Sequence, residues 1–142
     1  MRLAAAGAAL ALLVSAGTAS ARAPVTPTPT LPLSHAGRWI TDSAGRVVIL
    51  HGTNMVYKRS PYYPGAVGFS EDDAAFLHRI GFNGVRVGVI WKAVEPTPGV
   101  YDDAYLSHIA DTVRILARHG IVSLLDFHQD LYNERFQGCL LY

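Results

Sequence analysis

A single cysteine, Cys139, stands in a chain of 142 residues. An internal disulfide framework and a multi-cysteine metal site are therefore excluded. Charge is scarce as well: 16% of the residues are charged, with 12 basic against 11 acidic side chains and a net charge of +1. No arginine-rich tract or basic stripe occurs, so the electrostatic footprint of a nucleic-acid binder is missing. What remains is ordinary globular composition, 50% hydrophobic with 13 Gly and 8 Pro. That excludes collagen-like, coiled-coil and fully disordered readings. The length suits one small domain at most.

Long hydrophobic runs are absent too. The uncharged stretch from Leu3 to Val14 falls short of the roughly 20 residues that a membrane span needs. It follows the positive start Met1-Arg2 and precedes small residues with two A-x-A possibilities, Ala19-Ser20-Ala21 and Ala21-Arg22-Ala23. This is the layout of a secretory signal peptide over residues 1–21. Cleavage after Ala21 is preferred, because the later cut would leave Pro24 just behind it. No cysteine near the cut argues for a lipoprotein anchor. The expectation is a secreted protein with no stable membrane anchor. Losing residues 1–21 removes Arg2 and no acid, so the mature chain balances its charges. Residues 22–35 read as a Pro/Thr-rich linker, since Pro24, Pro27, Pro29 and Pro32 favour extended polyproline II without an apolar face.

Residues 36–142 read as alternating strand and helix. Trp39-Ile40, the turn Asp42 to Gly45 and the run Arg46 to His51 suggest a hairpin feeding a first strand at Val47-Val48-Ile49-Leu50. Ser70 offers a helix N-cap, with Glu71, Asp72 and Asp73 in the first turn, an apolar face at Ala74, Leu77 and Ile80, and Gly81 as the stop. Gly84 to Ile90 is a second strand. Asp102 caps a second helix with Leu106, Ile109, Val113 and Leu116 on one stripe, and Gly120 ends it. Ile121 to Phe127 is a third strand. Starts at Val47, Gly84 and Ile121 give an even spacing of 37 residues. Strand–helix–strand–helix–strand is the pattern of parallel βαβ units. The chain is either a small three-stranded domain or, as expected here, the truncated N-terminal part of a TIM (β/α)8 barrel. Three parallel strands would leave apolar edges that need pairing.

Alternation along the strands locates a site. Gly84, Arg86, Gly88 and Ile90 share one face of the second strand; Leu124, Asp126, His128 and Asp130 share one face of the third. Ligands bind at the C-terminal ends of parallel strands. The flanking glycines should leave room for the Arg86 guanidinium and a partner. The competing view is an Arg86–Asp126 pair that only holds the barrel together. A metal would need further ligands, such as His51, and no tight H-x-H pattern supplies them. No metal or cofactor is expected. The loop Tyr57 to Gly65 is dense in rings and cations, suited to sugar faces and hydroxyls, or packed by its own side chains. Trp91 is either a further platform or a cover for the barrel. His78 and His108 read as ordinary helical residues.

Gly52-Thr53-Asn54, Phe82 to Val87 and Leu125-Asp126-Phe127-His128-Gln129-Asp130 resemble glycoside hydrolase family 5, the cellulase-type (β/α)8 barrels. Val56 to Pro64, Val89 to Pro96 and His128-Gln129-Asp130 resemble its endoglycoceramidase branch. The resemblance spans Trp39 to Gly138. It implies hydrolysis, with retention, of a β-glycosidic bond in an oligosaccharide or glycolipid. The family's acid/base and nucleophile lie at the ends of the fourth and seventh strands, beyond this C-terminus, so no catalytic carboxylate is expected here. Asn133-Glu134 looks like the family's Asn-Glu motif but follows the third strand, and Arg135 stands where Pro would follow. The resemblance assigns Lys58 and Asp130 to sugar hydroxyls beside the scissile bond, and Arg86 to the nucleophile region. It places His128 in the same subsite and Asn54 behind it. Trp91 completes the substrate-binding set. Cys139 to Tyr142 match nothing in the family. The alternative function is a catalytically inactive sugar-binding or non-functional fragment.

Overall fold

Valines at alternate positions, Val85, Val87 and Val89, define the central strand, because a two-residue period puts them all on one face. The computed structural model describes residues 28–128. A two-stranded antiparallel ribbon, β1 (Ser34–Ala36) and β2 (Trp39–Thr41), opens the fold. The main sheet has three parallel strands, β3 (Gly52–Met55), β4 (Gly84–Ile90) and β5 (Val122–His128), in that order. A 3-10 turn, Pro64–Val67, and helix α1 (Glu71–Arg79) connect β3 to β4. The short α2 (Trp91–Val94) and the long α3 (Asp103–Arg118) connect β4 to β5.

The helices cover one face of the sheet. Val85 and Val87 pack with Ala74 of α1, Leu116 of α3 and Ile121. Val89 packs with Val94, Tyr105 and Ile109. Both long helices are capped where the sequence indicates: the Asp73 carboxylate accepts from Ser70 N–H at 2.9 Å, and Asp102 accepts from Tyr105 N–H at 2.9 Å. Glu71 then ties the start of α1 to the end of α3. It accepts from Arg118 Nε at 2.7 Å and lies 2.7 Å from His119 Nε2. The guanidinium of Arg118, and then His119, hold its carboxyl below the ordinary range.

Three expectations need correction. The first concerns the first strand, which is Gly52–Met55 rather than Val47–Leu50. Asn83 explains the shift. Its amide donates to the Ile49 carbonyl at 3.0 Å and its oxygen accepts from His51 N–H at 2.7 Å, occupying the backbone that a ladder would use. Gly52 then meets Gly84 so closely that a Cβ there would lie 1.6 Å from the Gly84 carbonyl oxygen. The second concerns α3, whose buried stripe is Tyr105, Ile109, Thr112 and Leu116; Leu106 is exposed. Third, α1 buries Ala74, but Ile80 falls beyond the helix and is exposed.

The end of the segment read as a linker is tied to the fold. Thr30 N–H donates to Asp42 at 3.3 Å, its carbonyl accepts from Ser43 N–H at 2.9 Å, and β1 begins at Ser34. Asp42 is buried at this junction. It accepts from the backbone of Ala44 and Arg46 at 3.0 and 2.9 Å and pairs with the Arg46 guanidinium at 2.6 Å. Arg46 foremost lowers its pKa to about 2. Residues 1–27, including the segment 1–21 expected to be a signal peptide, lie outside the described residues.

Candidate functional site

Register across the three parallel strands builds the site. Asn54 on β3 is opposite Arg86 on β4, while Asp126 on β5 is opposite Gly88 and His128 opposite Ile90. All four side chains lie on the sheet face turned away from the helices. The Arg86 guanidinium bridges the strands: Nη1 donates to Asn54 Oδ1 at 2.9 Å and Nη2 pairs with Asp126 Oδ2 at 2.6 Å. His128 Nδ1 lies 3.0 Å from the same Asp126 oxygen. The row therefore climbs from Asn54 through Arg86 and Asp126 to His128, toward the C-terminal edge.

Solvent reaches this row. The Arg86 side chain is 40% exposed and that of Asp126 22%. The ion pair is thus partly screened, and its contribution to stability is about 1 kcal/mol or less. A concavity of about 270 Å³ lies against it, lined by Asn54, Arg86 and Leu124 among others. The space beside Gly88 is not left for the guanidinium, as expected, but taken by Val56. A Cβ on Gly88 would lie 2.7 Å from Val56 Cγ1 and 3.0 Å from its Cα.

The other sequence candidates are placed as follows. Lys58 follows β3 by three residues, half-buried in the loop beyond its C-terminal end. Trp91 starts α2, and its ring centroid is 5.6 Å from that of Phe127. Phe127 points to the opposite side of β5 from Asp126 and His128, so Trp91 is not brought to the row. His51 sits before β3, its ring edge-on to Phe82 at 4.7 Å, and is not joined to His128. Among the described residues no cluster of three or more His, Cys, Asp or Glu could hold a metal ion. Asp130, Asn133 and Glu134 lie outside the described residues.

Sequence reasoning undervalued Asp126, the acceptor on which Arg86 and His128 converge. Its signal was present in the alternation of β5. It also missed how the aromatic loop is held. The Tyr63 ring stacks on His108 at 4.1 Å, and Tyr62 keeps a left-handed backbone with φ of 69°. The Tyr105 hydroxyl accepts from Ile90 N–H at 3.0 Å and donates to the Tyr62 carbonyl at 3.3 Å. These two tyrosines are thus held by α3. Beside them a cavity of about 490 Å³ opens toward Lys92 and Asp102.

No family model matches the chain. Individual proteins do. An endoglycoceramidase of Cyanea nozakii is 40% identical over 102 residues, 68% of this chain and 20% of that protein. The chain is similar to endoglycoceramidases. Endoglycoceramidase I of Rhodococcus hoagii is also 40% identical, over 111 residues, 78% of this chain and 23% of its own. The structure of endo-glycoceramidase II from Rhodococcus sp. in complex with ganglioside GM3 superposes with a TM-score of 0.60. It is 38% identical and covers 70% of this chain and 22% of that one. The chain spans about a fifth of the length of the curated relatives it matches. No helix among the described residues is long and apolar enough to cross a membrane.

Proposed function

We propose that this chain supplies the N-terminal βα units of a secreted (β/α)8 glycosidase that cleaves, with retention, β-glycosidic bonds of glycolipids in the manner of endoglycoceramidases. The supporting observation is the row Asn54–Arg86–Asp126–His128 at the C-terminal edge of three adjacent parallel strands. It occurs in a chain similar to enzymes of that name. Ligand chemistry in parallel barrels gathers at this edge.

The division of labour follows from the groups present. A retaining mechanism needs two carboxyl groups about 5–5.5 Å apart, one as nucleophile and one as acid/base. Asp126 is the row's carboxylate and is committed to Arg86 and His128. Both reacting carboxyls therefore come from elsewhere in the whole enzyme. Arg86 supplies positive charge to the nucleophile region, and Lys58, Asn54, His128 and Asp130 bind and orient the sugar beside the scissile bond. Trp91 contributes as an aromatic surface on the flank. Export follows from residues 1–21.

The test uses the full-length secreted protein with ganglioside GM3 as substrate. Release of ceramide and an intact oligosaccharide, from a protein whose N-terminus is Arg22, is the expected result. No cleavage of any glycolipid, or an intact Met1 in the medium, overturns the respective half of the proposal.

A further inference from the structure

Asn83 is the only asparagine of this chain that precedes a glycine; Asn54 precedes Met55 and Asn133 precedes Glu134. Such a pair is prone to self-attack, because no side chain on the glycine hinders the approach of its nitrogen. The fold commits both reactants elsewhere. Every polar group of Asn83 has a partner. Its side-chain amide donates to the Ile49 carbonyl at 3.0 Å, and its side-chain oxygen accepts from His51 N–H at 2.7 Å. Its backbone N–H donates to the His51 carbonyl at 2.8 Å, and its carbonyl accepts from Val122 N–H at 2.9 Å. The Gly84 nitrogen, the nucleophile, donates to the same His51 carbonyl at 3.3 Å. Asn83 is buried, and Gly84 lies between Gly52 of β3 and Val122 of β5.

We infer that Asn83-Gly84 is a deamidation site gated by the fold: it is stable while the sheet is closed, reacts when the sheet opens, and yields a product that cannot close again. The inference is independent of the glycosidase reading. In the opened chain the Gly84 nitrogen attacks the side-chain carbonyl carbon of Asn83. The bond from that carbon to the amide nitrogen breaks, and ammonia leaves with the proton that Gly84 gives up. Water then opens the resulting succinimide at either carbonyl, giving aspartate or β-linked isoaspartate. Both products conflict with the site. An aspartate turns an acceptor toward the Ile49 carbonyl, itself an acceptor, and buries a charge there. An isoaspartate lengthens the main chain by a methylene at the start of β4. There Gly52 and Gly84 fit so closely that a Cβ on Gly52 would lie 1.6 Å from the Gly84 oxygen. Covalent change in the opened state thus makes prolonged unfolding irreversible.

The test uses the full-length protein in mildly alkaline buffer, either folded or held unfolded in urea. Trypsin cuts after Arg79 and Arg86, so the peptide Ile80–Arg86 reports the site by mass, and chromatography separates its two products. The peptide Val47–Lys58, which holds Asn54, is the reference. A site that reacts only through opening should convert at least about 100-fold more slowly in the folded protein. In urea the reference should stay intact while Ile80–Arg86 converts. Converted molecules should be missing from the fraction that regains protease resistance after dilution. Equal rates with and without urea, or no conversion in urea, overturn the gating. Converted peptide at full share in the refolded fraction overturns the claim that the product cannot close.

Two variants separate the chemistry from packing. Gly84→Ala places a Cβ 3.4 Å from Leu50 Cδ2, an ordinary contact, and sets a methyl beside the nucleophile. It should slow conversion in urea and preserve the refolding yield after long unfolding. The first of these effects is read in the unfolded chain, so it does not depend on how well the variant folds. Asn83→Asp carries one product from the start, and freshly made protein should melt lower than the parent or fail to fold. A parent-like melt in Asn83→Asp, or conversion in Gly84→Ala as fast as in the parent, overturns the inference.

Discussion

A methyl group at position 88 would have nowhere to go. Its neighbours are Val56 Cγ1 and Cγ2 at 2.7 and 2.9 Å and the Val56 backbone at 3.0 Å. Overpacking of this kind costs about 1–3 kcal/mol. Gly88→Ala should therefore lower the melting temperature by roughly 4–8 °C for each kcal/mol lost. An unchanged melt would show that Val56 moves aside freely. The polar row makes a different prediction, in catalysis. Hydrogen bonds from charged groups are worth roughly 1.5–3 kcal/mol, and each 1.4 kcal/mol is about tenfold. Lys58→Ala and Asp130→Ala in the full-length enzyme should each reduce kcat/KM about 10- to 150-fold while the fold survives. Arg86→Ala should cost more, since it releases both Asn54 and Asp126. Wild-type kinetics in the first two would remove those residues from the site. A collapsed melt with normal residual chemistry would reduce Arg86 to a structural ion pair.

At the scale of elements, a single hydroxyl joins β4, α3 and the aromatic loop. Tyr105→Phe leaves Ile90 N–H buried without its partner and frees the Tyr62 carbonyl. The expected loss is about 1–3 kcal/mol, together with faster proteolysis within residues 57–65. Equal cleavage rates in parent and variant would show that the Tyr63–His108 stack alone holds the loop. The β1–β2 ribbon makes a prediction in pH. Arg46 foremost lowers the Asp42 pKa from 3.8 to about 2, so the fold favours the ionised form. Its contribution is full above about pH 4 and disappears as pH falls toward 2. Asp42→Asn should lower the melting temperature at neutral pH and flatten the acid slope over that window. An acid slope equal to the parent's would assign acid sensitivity to other carboxyls, such as Glu71. Much of this level is legible in the sequence. Caps and alternation place β4 and the starts of both long helices, because those signals are local. The start of β3 is not, since it depends on Asn83 reaching back 34 residues to Ile49. Nor is the replacement of Leu106 and Val113 by Tyr105 and Thr112 on the buried stripe of α3, where Tyr105 bonds to Ile90 and Tyr62 on other elements. The site divides in the same way: alternation reveals Arg86, Asp126 and His128, whereas the flank occupied by Trp91 depends on its contact with Phe127.

On the scale of the whole molecule, the central strand and its neighbours differ sharply. β4 is buried on both faces apart from Arg86. On β5, by contrast, Leu124 is 59% exposed, Leu125 53% and Phe127 57%, which includes both faces of the strand. Val47, Ile49 and Leu50 are exposed ahead of β3 as well. An apolar parallel strand with an unpaired edge is a template for another chain. In an eight-stranded barrel closure removes the edge; in relatives about five times as long as the matched segment there is chain enough to supply it. Purified residues 22–142 should therefore self-associate, eluting earlier as concentration rises, and Leu125→Lys should shift the equilibrium toward monomer by placing a charge on the sticky edge. The same preparation should show no turnover of any β-glycoside, because the row's carboxylate, Asp126, is occupied by Arg86 and His128 and retention needs two. A stable monomer at high concentration would show that the exposed leucines are covered within the chain itself. Turnover abolished by Glu134→Gln would restore the Asn133-Glu134 pair as catalytic and make this chain an enzyme in its own right.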